Sequence, residues 1–114
     1  MTWYDDLYVG ESIIHKKSKI IWKISHNAGQ LNIYVITLAS NENNLLDIIP
    51  ARELLQKGYP KHQLYVVGLA KGYEEAVEVA AAIIAEVYQK TGTFAVRKYL
   101  IEKKSWEDEC QSYC

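Results

Sequence analysis

The sequence predicts a small α/β domain of two or three layers, built on a mostly parallel sheet of three or four strands. Three observations predict it. Residues 64–70 form a continuous apolar run, as expected of a strand that is covered on both faces. From Tyr73 to Lys90 the apolar residues share one side of a helix, and the acidic residues share the other. Residues 94–101 have the composition of a second strand, so the long amphipathic helix over 73–90 is predicted to be a crossover between two parallel strands.

The first third of the chain holds one clear strand and one ambiguous segment. Residues 31–39 are rich in isoleucine, valine, tyrosine and threonine, which predicts a strand. Residues 10–26 fit a helix with isoleucines on one face and lysines on the other, and they also fit a strand that leads into a hairpin loop. The helix is favoured because its pattern accounts for more residues. Before this segment, Thr2 is a candidate cap for a short helix.

Two further helical segments are predicted between residues 45 and 57. Residues 45–49 have helical spacing, but Pro50 interrupts a regular helix because proline lacks an amide hydrogen and restrains the residue before it. A separate helix is therefore predicted from Pro50 to Lys57, since proline suits its first turn and Gly58 its end. The strand at 64–70 is expected to lie in the centre of the sheet.

The size and composition are those of one ordinary domain. The 114 residues are expected to form a single unit, 1–114, with a peripheral polar C-terminal tail from about residue 102. The N-terminus lacks the pattern of a signal peptide, and no apolar run approaches the ~20 residues of a membrane span, so a cytoplasmic protein without a membrane partner is expected. A net charge of −1 argues against nucleic-acid binding by bulk charge.

One candidate ligand site follows from the predicted parallel sheet. The loops after 31–39 and 64–70 would leave the same carboxyl edge, which is where open α/β sheets bind ligands. The candidate ligand-binding residues of these loops are Ser40, Asn41, Asn43, Lys71 and Gly72. A small anion or nucleotide would suit the lysine and the free amides of the following helix. Against this, the glycine spacing matches no phosphate-binding loop, and Glu74 and Glu75 would satisfy the helix terminus themselves.

The second candidate site is the one basic cluster of the sequence. It consists of Lys16, Lys17, Lys19 and Lys23. The lysines could contact phosphates and Trp22 could stack on a base, as in a nucleic-acid adaptor. A solvated lysine face on an amphipathic helix is the commoner arrangement, so nucleic acid is not the favoured partner.

The sequence shows no pattern of catalytic or metal-binding residues. His15, His26 and His62 lie in separate segments, without further ligands at metal-binding spacing. Cys110 and Cys114 are two thiols, whereas a structural zinc site needs four ligands, and their role is left open. We therefore predict no catalytic residue, no metal and no cofactor. A function without catalysis is favoured over an enzyme.

The leading interpretation is a small intracellular binding or interaction protein without catalytic chemistry. Nine tyrosines and three tryptophans against one phenylalanine favour half-buried contact surfaces, so the partners considered are an unidentified protein and a second copy of the chain in a homo-oligomer. Two alternatives stay open. One is a small-molecule, nucleotide or anion-binding domain, or an enzyme, that uses the crevice at the carboxyl edge of the sheet. The other is a nucleic-acid adaptor that uses the cluster from Lys16 to Lys23.

Overall fold

The computed structural model describes residues 1–39 and 44–101. The strands are β1 (Thr2–Val9), β2 (Ile33–Leu38), β3 (Leu46–Pro50) and β4 (Tyr65–Lys71). The helices are α1 (Lys17–Ser25), α2 (Tyr73–Thr91) and a short α3 at 96–101. Short 3₁₀ helices occupy Glu11–Lys16, Ala51–Leu55 and Lys61–Gln63. The predicted polar tail, with Cys110 and Cys114, lies outside the described residues.

The four strands form one mixed sheet in the order β1-β4-β2-β3. β1 runs parallel to β4, whereas β2 is antiparallel to both β4 and β3. The prediction of a small α/β domain with β4 inside the sheet is confirmed. The prediction of a mostly parallel sheet is wrong, because β1–β4 is the one parallel pair among the three pairs of strands that the structure describes.

The strand predicted at residues 94–101 is wrong, and so is the crossover that depended on it. Residues 96–101 are helical, with Val96 and Leu100 buried four positions apart on one face. α3 contacts α2, where the Tyr99 hydroxyl donates a hydrogen bond to the Glu86 carboxylate at 3.1 Å. The parallel neighbour of β4 is instead β1, where a short helix was predicted.

The segment from 45 to 57 also differs from the prediction. Residues predicted to be helical form β3, which pairs with β2 through Ile36 and Ile48 and lies at the edge of the sheet. Pro50 ends this strand, and an edge strand is where a sheet tolerates proline. The helix expected from Pro50 to Lys57 is a short 3₁₀ helix, Ala51–Leu55. Residues 10–26 are helical as favoured, in the form of a 3₁₀ helix followed by α1.

The long amphipathic helix is confirmed as α2. Its buried residues follow helical spacing, and they are Ala76, Ala80, Ile83 and Val87. Gly92 ends the helix in a left-handed conformation with φ of 72°, and its amide donates to the Tyr88 carbonyl. Within the part of the chain that is described, no helix has the length and apolar character needed to cross a bilayer.

Gly68 allows α2 to pack closely on the sheet. A Cβ at this position would lie 3.2 Å from the side chain of Val79 in α2, so Gly68 faces that helix. Because side chains alternate along a strand, Leu69 faces the opposite side of the sheet. Lys71 shares the side of Leu69 and lines a groove together with Ile20 of α1. Helices therefore cover both faces of the sheet, which gives the domain three layers.

Candidate functional site

The predicted crevice at the carboxyl edge of the sheet lacks its geometric basis. β2 and β4 are antiparallel, and Lys71 at the end of β4 pairs with Ile33 at the start of β2. The loops that follow these two strands therefore leave opposite edges of the sheet. Ser40, Asn41 and Asn43 lie outside the described residues, and their roles in binding stay predictions.

Lys71 instead joins the basic cluster that the sequence placed elsewhere. It lines a groove of about 340 Å³, which we call the basic groove, between β4, α1 and the 3₁₀ helix before α1. The lysines that line the basic groove are Lys16, Lys19, Lys23 and Lys71. None of the lining residues that the structure describes is acidic. Residues from both predicted sites thus form one positively charged surface.

Helical spacing explains which lysines of the cluster reach the basic groove. Lys16, Lys19 and Lys23 are separated by three and four positions, so they lie on one face of the helical segment. Ile20 lies on the same face and is buried below them. Lys17 belonged to the predicted cluster, but it is not among the residues that line the groove. The structure therefore brings together three of the four predicted lysines.

A tight turn follows Lys71 at the end of β4. Gly72 follows it with φ of 83°, a conformation that favours glycine, and its amide donates to the Asn32 carbonyl at 2.7 Å. Asn32 itself has φ of 64°, which asparagine tolerates better than most residues. Gly72 does not line the groove. Its contribution in the structure is to the backbone geometry that connects β4 to α2.

The basic groove combines an apolar floor with a cationic rim. Ile13, Ile20 and Ile33 line it and are each less than 10% exposed. Leu31 also lines it and is 93% exposed, while Gln30 contributes a side-chain amide. Such a surface suits a ligand that carries several negative charges together with a flat or apolar part.

The Glu75 carboxylate ties three elements together beside the basic groove. It accepts hydrogen bonds from the Ser12 hydroxyl at 2.8 Å, from the Lys71 amide at 2.9 Å and from the Ser12 amide at 3.4 Å. It packs over Gly10, where a Cβ would overlap the carboxyl group. Because Glu75 lies in the first turn of α2, its charge also satisfies the positive end of that helix.

The environment of Glu75 keeps it ionised. Desolvation is the largest single effect and raises its pKa, but the hydrogen bonds from Lys71 and Ser12 and the charge of Lys71 together lower the pKa by more. The net shift is downward, so the carboxylate stays charged in neutral solution. An anionic ligand would therefore meet attraction at the lysines of the basic groove and repulsion at the N-terminus of α2.

Glu75→Gln is expected to lower the free energy of unfolding at neutral pH by about 1 kcal/mol, because hydrogen bonds to a partly solvated carboxylate are weakened. The folded state lowers the pKa of Glu75 from its ordinary value of 4.5, so this stabilisation is complete above that value. It is lost as the pH falls through the lowered pKa. Urea unfolding at pH 7 and at pH 3 measures the difference, and the gap between wild type and variant should shrink in acid.

Glu74→Gln is the matched control for this substitution. Glu74 lies in the same first turn of α2 but is exposed. Its replacement is expected to change stability by less than about 0.5 kcal/mol. Two results would contradict a stabilising role for the hydrogen bonds of Glu75. One is an equal loss of stability in the two variants, and the other is a difference between wild type and Glu75→Gln that is the same at both pH values.

A second polar cluster lies on the other face of the sheet, and its role is structural. The Tyr8 and Tyr99 hydroxyls both donate to the Glu86 carboxylate, which links β1, α3 and α2. Burial raises the pKa of Tyr8, and the hydrogen bond to Glu86 and the negative charge of Glu86 raise it further. Tyr8 therefore remains a neutral donor. Across residues 1–39 and 44–101, no three His, Cys, Asp or Glu side chains are grouped as a metal site would need.

Comparisons with known proteins found no relative of this chain. No protein-family model matches the chain, and neither a curated protein nor a solved structure matches it significantly.

Proposed function

We propose that this chain is a non-enzymatic binding domain that recognises a phosphate-bearing anion through the basic groove. The observation that carries the proposal is the convergence of three lysines of one helical segment with Lys71 of β4 around one concave surface. Like charges gathered in this way repel one another, so a bound anion would relieve the repulsion. The apolar floor beneath them adds contact area for the uncharged part of a ligand.

Lysine side chains favour a ligand with several charges over a single carboxylate. A lysine ammonium is a flexible point charge, whereas arginine offers the fixed fork that pairs with one carboxylate. Four such point charges around the basic groove match successive phosphates better than one planar group. The charge on Glu75 beside the groove keeps the anion toward the lysines of α1 and of the 3₁₀ helix before it.

Calorimetric titration of the full chain with inorganic tripolyphosphate tests this function. We expect one saturable binding event that weakens as salt increases, because salt screens the lysines. Lys71→Ala is expected to weaken binding roughly tenfold, which corresponds to about 1.4 kcal/mol. Lys98→Ala serves as the control, since Lys98 is an exposed lysine of α3 that does not line the groove. Absence of binding, or equal weakening by both substitutions, would contradict the proposal.

A further inference from the structure

We infer that the anion is a single-stranded nucleic acid, whose phosphates lie along the basic groove and whose base stacks on Trp22. This inference rests on the proposed function and adds the class of ligand. Trp22 is 59% exposed on α1, and its ring stacks on His26 with centroids 4.1 Å apart and planes 19° apart. The two rings thus form a flat stacked pair without a ligand.

Trp22 and His26 do not line the basic groove, but they lie next to two of its lysines on α1. Trp22 and Lys23 lie three and four positions after Lys19, and His26 lies three positions after Lys23 and four after Trp22, so the four residues form a strip along one side of α1 and its C-terminal cap. Lys19 and Lys23 belong at once to this strip and to the lining of the groove. A strand of nucleic acid could therefore place its phosphates on the lysines while a neighbouring base covers the indole.

The position of His26 prepares the indole for stacking. Its Nδ1 atom lies 2.7 Å from the Trp22 carbonyl oxygen and donates to it, which fixes the imidazole against the ring. An ordered aromatic surface loses little conformational entropy when a base stacks on it. Stacking also tolerates any base, because every base presents a flat face. A tryptophan that served the core would be buried, as the neighbouring Ile20 and Ile24 are.

The same features favour a single strand over a duplex. Bases in a duplex are already stacked on each other and cannot cover an external ring, whereas those of a single strand are free to do so. If each of the four lysines contacts one phosphate, the slope of log affinity against log salt is expected to be about −3 for a single strand. This modest electrostatic contribution agrees with a chain whose net charge is −1.

Fluorescence anisotropy with three labelled ligands of equal length tests the inference on the full chain. The ligands are a single-stranded oligothymidine, the corresponding abasic strand and a mixed-sequence duplex. The wild-type chain is expected to bind the oligothymidine about tenfold more tightly than the abasic strand, because stacking contributes to the first alone. Trp22→Ala should remove this preference while leaving the affinity for the abasic strand and for tripolyphosphate unchanged.

Tyr88→Ala provides the matched control for the loss of an aromatic ring. Tyr88 is 52% exposed on α2 and stacks on Phe94, so it resembles Trp22 in exposure but does not line the basic groove. This variant should keep the full preference for the oligothymidine. Urea unfolding of both variants verifies that they fold like the wild type.

The outcomes separate this inference from the function on which it rests. If tripolyphosphate binds and the wild type does not prefer the oligothymidine to the abasic strand, the nucleic-acid assignment is overturned and anion binding stands. The same holds if Trp22→Ala keeps the preference, or if the duplex binds as tightly as the single strand. If neither tripolyphosphate nor any strand binds, both proposals are overturned.

Discussion

Replacing Ile83 with alanine is expected to lower the free energy of unfolding by about 2–5 kcal/mol. Ile83 is completely buried on the face of α2 that packs on the sheet, between Ala80 and Val87. Removing its side chain would leave a cavity at the centre of this interface. Urea denaturation monitored by circular dichroism measures the change.

Val77→Ala is the control on the same helix. Val77 is 43% exposed, so its truncation removes little buried surface and should cost less than about 1 kcal/mol. Half-buried Ile84 should give an intermediate loss when it is replaced by alanine. Equal losses at positions 77, 83 and 84 would mean that α2 does not pack on the sheet through the face seen in the structure.

The double substitution Lys19→Glu and Lys23→Glu is expected to weaken tripolyphosphate binding roughly 1,000-fold at low salt. In a well-hydrated site each reversal replaces an attraction of about 1 kcal/mol by a repulsion of similar size. The two reversals together cost a few kcal/mol, and each 1.4 kcal/mol is about tenfold in affinity. Binding should also become less sensitive to salt, since two attractive charge contacts are lost. Calorimetry over a range of salt concentrations measures both effects.

Lys57→Glu with Lys98→Glu is the matched control for this charge reversal. It changes the net charge by the same amount, but both lysines are exposed and neither lines the basic groove. Its affinity for tripolyphosphate should remain within about threefold of the wild type, because distant surface charges are screened. A loss as large as that of the groove variant would show that bulk charge, and not the basic groove, determines binding.

The parts of the fold that the sequence predicts are those whose pattern is local. β4 is recognisable because burial on both faces requires an unbroken apolar run. α2 is recognisable because its buried residues recur at helical spacing and Gly92 ends it. Both elements are visible within a window of fewer than 20 residues, so no knowledge of their neighbours is needed.

The direction and order of the strands depend on distant partners, which is why the parallel sheet was predicted wrongly. Nothing local in β2 specifies that it runs antiparallel to β4. Residues 94–101 have β-branched and aromatic residues, yet the spacing of buried Val96 and Leu100 fits a helix. β1 has no clear strand pattern in the sequence because Asp5 and Asp6 interrupt its apolar residues, although Tyr4 and Leu7 are buried.

Only part of the candidate site can be predicted from the sequence, for the same reason. The helical spacing of Lys16, Lys19 and Lys23 indicates a shared face from local information alone. Lys71 joins them only because its strand pairs in register with Ile33. No local signal reports that register, so a lysine assigned to a sheet-edge loop belongs in the structure to the basic groove.

Backbone amide shifts of the isotope-labelled full chain, followed by NMR during titration with tripolyphosphate, test whether the anion binds in the basic groove. The largest changes are expected at Lys16, Lys19, Lys23, Gly29 and Lys71, which line one groove although Lys71 is distant from the others in sequence. Saturable changes at all of these positions together would support a single site. Changes confined to the C-terminal half of α2 and to α3, or none at the groove residues, would contradict it.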